Sequence, residues 1–322
     1  MKLGVLTNLF GSLGFEDALK KFKALGIESL EIGCGGYPGK AHCEPKTLLS
    51  DDVALAEWLA LIDKYGMEVS ALSVHGNPVH PSKEIAESFH SDFTDAVLLA
   101  EKIGIDTVVT FSGCPGGSAE DKTPNWATCA WPEDFLSVLD YQWNEVLIPY
   151  WKKTAEFCLA HGVTKIAFEM HPGFCVYNPE TLLRLRAAVG DIIGANFDPS
   201  HLIWQGMDPV SAIRALRGVI YHFHAKDTKI NKEKTAVNGV LDTKHYTDEV
   251  NRSWIFRTVG YGNGLDYWRD IISELRLAGY DKVMSIEHED SLMTAEEGLS
   301  RAVEFLHNSI IREAKPSSIS WA

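Results

Sequence analysis

Five times along the chain a helix-type segment stops on a glycine and passes at once into a strand-type run. The junctions are Ala24-Leu25-Gly26-Ile27, Lys64-Tyr65-Gly66-Met67, Lys102-Ile103-Gly104-Ile105, Ala160-His161-Gly162-Val163 and Leu277-Ala278-Gly279-Tyr280. Glycine takes the left-handed conformation just past a helix end at the least steric cost, so each junction reads as a helix stop followed by a strand. A junction that recurs this way marks a repeated βα unit, and repeated βαβ crossovers generate a parallel sheet. Eight strand-type runs fit the repeat: 2–7, 28–33, 67–74, 106–111, 164–170, 192–198, 219–225 and 282–287. Amphipathic segments separate them at 15–25, 52–65, 84–103, 144–161, 179–189, 209–217, 265–278 and 294–312. In 52–65, Val53, Ala56, Leu59 and Ala60 follow helical spacing and are expected to face the core. The expectation is an α/β protein, a single (β/α)8 barrel domain over residues 1–322.

Two segments break the rhythm, both after strands, where a barrel builds its active site. Residues 112–143 follow the fourth strand and are rich in Gly, Pro and Trp; residues 226–264 follow the seventh and carry Arg252, Trp254, Arg257 and Gly260-Tyr261-Gly262-Asn263-Gly264. Neither shows a regular period, so both read as enlarged functional loops. Their aromatic rings suit stacking on the apolar face of a sugar, or packing onto the barrel or a second subunit.

A net charge of −14 argues against a nucleic-acid partner, because phosphate binding rests on Lys and Arg. No run approaches the roughly 18 apolar residues of a membrane span. The N-terminus runs into a strand and lacks the pattern of a signal peptide. The six cysteines form no CxxC pair and read as reduced thiols. Together these features point to a cytoplasmic protein. Cys114 and Cys175 fall near strand ends, facing a pocket or packed in the core.

Four of the strand runs end on a side chain able to bind a metal: Ile166-Ala167-Phe168-Glu169, Gly194-Ala195-Asn196-Phe197-Asp198, Ile220-Tyr221-His222-Phe223-His224 and Val283-Met284-Ser285-Ile286-Glu287. In a parallel barrel the C-terminal strand ends converge on one mouth. Three carboxylates and one imidazole there make a hard, oxygen-rich site for one divalent ion, Mn2+ first, with Mg2+, Co2+ or Zn2+ as alternatives. Such an ion can chelate adjacent substrate oxygens and stabilise an enediolate. Glu169 and Glu287 come from non-neighbouring strands and could flank one carbon, one removing a proton and the other returning it. His171 and Asp227 are candidates to orient the ligands. His222 should point the same way as His224, one pleat lower, as a buried hydrogen-bonded residue. His75, at the end of the third strand, is a candidate substrate contact. Glu289 and Asp290 read as acceptors for a helix N-terminus.

Four motifs carry a resemblance: Phe168-Glu169-Met170-His171-Pro172, Asn196-Phe197-Asp198-Pro199-Ser200-His201, His222-Phe223-His224-Ala225-Lys226-Asp227 and Ser285-Ile286-Glu287-His288-Glu289. In this order they resemble the xylose-isomerase-like TIM-barrel superfamily, in its sugar phosphate isomerase/epimerase branch. The resemblance spans nearly the whole chain. It implies Glu169, Asp198, His224 and Glu287 as metal ligands and His201 as a substrate contact. It also implies a carbohydrate or cyclitol substrate and a homo-oligomer.

The ketose 3-epimerases of that family place an arginine shortly after the histidine ligand. Here Lys226 or Lys229 would have to serve. The glutamate those enzymes use soon after the first ligand is also missing, and the enlarged loops suggest a bulkier substrate such as a glycoside or keto-inositol. The leading expectation is a metal-dependent isomerase or epimerase that transfers a proton next to a carbonyl. The alternative is a lyase: a keto-inositol dehydratase, or a C-glycoside deglycosidase barrel working with a second subunit. An apurinic-site endonuclease is a minor rival, since strand four ends without a histidine and no Asp-x-His follows His224. A non-catalytic sugar-binding barrel completes the set.

Overall fold

The computed structural model describes residues 1–314, 316 and 321. Eight parallel strands close into a barrel: β1 (Lys2–Leu6), β2 (Ser29–Gly33), β3 (Glu68–Ser73), β4 (Thr107–Thr110), β5 (Lys165–Glu169), β6 (Ile193–Phe197), β7 (Ile220–Ala225) and β10 (Val283–Ile286). β1 closes the ring by pairing with β10 through Lys2↔Val283 and with β2 through Gly4↔Ser29. β8 (Asp227–Ile230) and β9 (Trp254–Arg257) form a separate antiparallel pair outside it. Each barrel strand lies within the run expected from sequence.

Strand alternation sorts the side chains. Leu30, Ile32, Ile166, Phe168, Phe197, Met284 and Ile286 join the main apolar core, with Phe22, Phe93, Trp151 and Trp268. Alternate positions send Glu31, Glu169, Asn196, His222, His224 and Ser285 into buried polar surroundings. A TIM-barrel interior is ordinarily filled by branched apolar residues. Here the only comparable interior cluster among the described residues is small, Ala71, Val109 and Ala167 with Tyr221 packed on it. Gly194 makes room for that tyrosine, since a Cβ there would lie 2.3 Å from the Tyr221 ring. The β6–β7 register shifts between Ala195 and Asn196, which skips Tyr221 and pairs Asn196 with His222.

Three sequence expectations need correction. Helix Asp52–Lys64 buries Leu55, Trp58 and Ile62, whereas Val53 and Leu59 are exposed. Its apolar residues occupy more than one face, and the Trp58 indole, donating to the His42 carbonyl at 2.8 Å, fixes which face turns inward. Residues 112–143 are not without regular structure: helix Asp134–Asp140 runs through a π-helical turn, Tyr141–Leu147, into helix Ile148–Ala160. Gln142 ties the turn down by donating to the carbonyls of Pro115, Gly116 and Asn125.

Residues 226–264 contain the β8–β9 pair and helix Lys232–Asn238. Trp204 and Trp254 stack at 4.5 Å, and the Arg252 guanidinium lies 4.4 Å from Tyr246 and 4.6 Å from Trp254. Four-residue strands around a local aromatic cluster leave too short a period to stand out in sequence. Among the described residues no helix is long and apolar enough to cross a membrane.

Candidate metal centre

Glu169 ends β5, Asp198 follows β6, His224 lies on β7 and Glu287 follows β10. Four strands thus deliver four side chains whose ligand atoms all lie within 4.8 Å of one another. Glu169, Asp198 and His224 are fully buried, and Glu287 keeps 15% of its side chain exposed. His224 Nδ1 faces Glu169 Oε2 at 3.2 Å and Glu287 Oε2 at 3.1 Å. That nitrogen receives no aligned hydrogen bond, and neither does Asp198 Oδ2. Buried polar atoms are rarely left this way. Both atoms still have charged neighbours, the carboxylates around His224 Nδ1 and the Lys226 ammonium 3.0 Å from Asp198 Oδ2, and with Glu169 and Glu287 they form a donor set that fits a divalent cation by position and by type.

The electrostatics point the same way. Burial pushes the Asp198 carboxyl up to about 7; Lys226 opposes this, while Glu169 and Glu287 add to it. Burial also opposes ionisation of Glu169, but hydrogen bonds from His201, His224 and His75 outweigh it and hold the group well below the usual carboxylate range. Against its own burial, His224 is raised well above the ordinary histidine value by the Glu31 and Glu287 carboxylates. Three carboxylates here share two cationic neighbours, His224 and Lys226, an anionic group of the kind a 2+ ion would bind.

Glu31, on β2, is the principal residue that sequence reasoning missed. Its carboxylate accepts from His224 Nε2 at 2.9 Å to each oxygen, from Ser285 Oγ at 2.6 Å, and from Ser73 Oγ. Burial opposes its ionisation, yet the charges of His224 and His222 take it down to about 2. A usable signal was present: alternation in Ser29-Leu30-Glu31-Ile32 puts a carboxylate on the face opposite two core residues, where it needs a partner. Asn196 was missed too. It donates to Glu169 Oε2 at 3.3 Å and accepts from His222 Nδ1 at 3.1 Å.

A family model described as a xylose isomerase-like TIM barrel matches residues 19–309. The chain belongs to that family. It is 42% identical over 313 residues to the uncharacterized protein YfiH of Bacillus subtilis (strain 168), covering 96% of this chain and 99% of the relative. Among solved structures, the probable 3-DHS dehydratase AsbF of Bacillus anthracis superimposes with a TM-score of 0.65 at 18% identity, covering 96% of this chain and 99% of that one. A D-tagatose 3-epimerase-like protein gives 0.62 at 20% identity, covering 96% and 98%. At these identities the structural likeness is one of fold.

Other residues singled out in this xylose isomerase-like sequence divide into those at the group and those away from it. His75 Nε2 donates to Glu169 Oε2 at 3.0 Å, and His201 Nε2 lies 3.0 Å from Glu169 Oε1. Burial, with His171 and Lys226 nearby, keeps His201 far below the ordinary histidine pKa, hence neutral. Lys226 is buried, its ammonium 2.7 Å from Glu287, 3.0 Å from Asp198, 3.0 Å from Glu289 and 3.2 Å from His201. Phe256 of β9 caps it, 4.8 Å from the ammonium.

Four expectations are displaced. Lys229 is exposed and donates to the Gly262 carbonyl, not to the group. Asp227 orients no ligand: it accepts from the backbone of Gly260, Gly262 and Asn263 and from the Trp268 indole, so it organises the turn ahead of helix Leu265–Leu277. The His171 ring packs 4.0 Å from that of His201, and its Nδ1 donates to the Pro172 carbonyl, not to a ligand carboxylate. Glu289 and Asp290 are not helix caps, since Glu289 pairs with Lys226 and Asp290 accepts from Arg257 and the Thr258 backbone. His222 is buried and hydrogen-bonded to Asn196 and Ser70, one pleat below His224, as its spacing implied.

Proposed function

We propose that the chain is a divalent-metal-dependent isomerase or epimerase of a sugar, keto-sugar or cyclitol. The observation that carries this reading is the group Glu169, Asp198, His224 and Glu287, with a buried His224 Nδ1 turned into it between two carboxylates. These four would hold the ion; the hard donor set suits Mn2+ or Mg2+ over Zn2+, and the family resemblance puts Mn2+ first. When bound, the ion supplies Lewis-acid stabilisation of negative charge developing on substrate oxygen.

The protein's own groups divide the remaining work. Both oxygens of Glu169 lie against imidazoles, which pins it. Glu287 contacts His224 and Lys226 and reaches toward solvent, so it is better placed to move a proton to or from a substrate carbon. Glu169 is placed for the complementary transfer on the other face. Neutral His201 orients a substrate hydroxyl, and His75 buttresses Glu169. The Lys226 ammonium holds a substrate oxygen beneath Phe256. The chain would act as one barrel domain over residues 1–322, in the cytoplasm and as a homo-oligomer.

The test is elemental analysis of protein purified without chelator, beside an Asp198→Ala/His224→Ala variant. About one divalent ion per wild-type chain, lost in the variant, is the expected result. Solvent deuterium should then enter carbon-bound positions of a ketose or keto-cyclitol. If the wild-type chain takes up no metal after incubation with Mn2+, the reading fails.

A lyase is the second reading, favoured by Lys226 Nζ lying 3.2 Å from His201 Nε2. A buried ammonium beside an imidazole could protonate a departing oxygen. Loss of water or an alcohol from substrate, followed by mass spectrometry, would select it.

A further inference from the structure

Glu31 is a completely buried carboxylate that the chemistry proposed above leaves without a part. It lies on β2, which supplies none of the four candidate ligands, yet it connects to three other strands. Ser73 of β3 and Ser285 of β10 donate to it, and His224 Nε2 of β7 sits 2.9 Å from both its oxygens. Its partners are therefore satisfied from fixed positions on the barrel wall, and its own χ rotations are locked.

The consequence falls on the imidazole. A carboxylate accepts hydrogen bonds only, so Nε2 must carry a proton. The other nitrogen, Nδ1, points at Glu169 and Glu287, and a cation bound there would take the place of the proton those carboxylates otherwise favour on it. An imidazole with no partner at Nε2 could place its single proton on Nδ1 and cease to be a ligand, or turn about χ2.

We infer that Glu31 is a positioning residue for His224, fixing its tautomer and ring orientation so that Nδ1 is the atom presented to a divalent cation. This rests on the metal reading above. It adds to that reading a fifth, non-ligating residue on which affinity depends. Removal of a carboxylate that supports a metal-bound histidine typically weakens metal binding by about 10- to 100-fold.

Mn2+ affinity, measured by calorimetry on EDTA-stripped protein, tests the inference in Glu31→Gln beside wild type. The visible absorption of the Co2+-loaded forms reports the ligand field at the same time. Expected in Glu31→Gln are a loss of about 10- to 100-fold in Mn2+ affinity and a changed Co2+ spectrum. A residue that only balances charge in the barrel would alter the thermal stability of the metal-free protein and leave both readouts in place. A folded Glu31→Gln with wild-type Mn2+ affinity and an unchanged Co2+ spectrum overturns the assignment.

Should that variant fail to fold, Ser73→Ala/Ser285→Ala loosens the same carboxylate without removing its charge. It is expected to weaken Mn2+ binding severalfold, and unchanged affinity there equally overturns the inference. Failure of the wild-type chain to bind Mn2+ would bring down the proposed function and this inference together. Normal wild-type binding with an indifferent Glu31→Gln would bring down this inference alone.

Discussion

Glu169 and Glu287 are the same residue type in different settings, and the difference predicts how each responds to substitution. Glu169 is locked by imidazoles on both oxygens, while Glu287 keeps part of its surface toward the mouth. Glu287→Gln should therefore lower kcat by about 10²- to 10⁴-fold, the usual worth of a positioned acid or base, while leaving the fold of the metal-free protein near wild type. Glu169→Gln should abolish turnover and also disturb His75 and His201, visible as a change in thermal stability that Glu287→Gln lacks. Steady-state kinetics with thermal unfolding separates the two; near-normal turnover in either variant would defeat the two-base proposal. His201→Ala should act mainly on KM. The positions of the four candidate ligands were legible because each ends a hydrophobic run, and a strand end in a parallel barrel has one destination. Glu31 was not, because a glutamate inside a strand carries no mark of what lies across the barrel. His171 and Asp227 misled for a related reason: proximity in sequence to a ligand does not fix which acceptor a side chain meets.

At the level of elements, the β8–β9 pair is the part of the molecule least legible in sequence and most open to test. Its cohesion comes from side chains far apart in the chain, Trp204 against Trp254 and Arg252 between two rings, so no local period announces it. Trp254→Ala should remove the centre of this cluster at a cost of about 3–5 kcal/mol to local packing. The expected readout is rapid proteolytic cleavage within residues 239–253, with the barrel core still protected. Asp242 ties down the same segment by accepting from the Lys244 side chain and the Ser253 backbone, which outweigh burial and hold its carboxyl down to about 2. An unfolded aspartate titrates near 3.9. The stabilisation is therefore complete above about pH 4 and disappears as the pH falls toward 2. Hydrogen exchange of the segment between pH 5 and 2.5, compared with Asp242→Asn, should show protection that falls with acid in wild type. In the variant it should be low throughout. The misassigned face of helix Asp52–Lys64 is a lesson of the same kind, since a helix with apolar residues on several sides leaves the choice to its neighbours.

For the whole molecule, barrel closure was the most secure inference from sequence, because eight strand runs and five repeated junctions agree with one another. What composition could not convey is that the barrel interior carries so much charge. Glu31, Glu169, Asp198, His222 and His224 are all buried there. Stability should accordingly depend on the cation. At a metal concentration about 100 times its Kd, binding to the native state alone adds about 2.7 kcal/mol. EDTA-treated protein should melt several degrees lower than Mn2+-loaded protein, and Asp198→Ala/His224→Ala should show no such difference. Equal melting temperatures for the wild-type chain with and without Mn2+ would contradict the linkage.

Floor and roof of the centre have separate origins. The floor is barrel wall, where Glu31, His224, Ser73 and Ser285 interlock across four strands and a change in one is felt by all. The roof, Phe256 over Lys226, arrives on an insert that leaves the wall after β7 and returns at helix Leu265–Leu277. Chemistry and selectivity are thus inherited on different pieces of chain. Exchanging residues 229–256 between relatives should carry substrate preference with the transplanted piece and leave the reaction class behind.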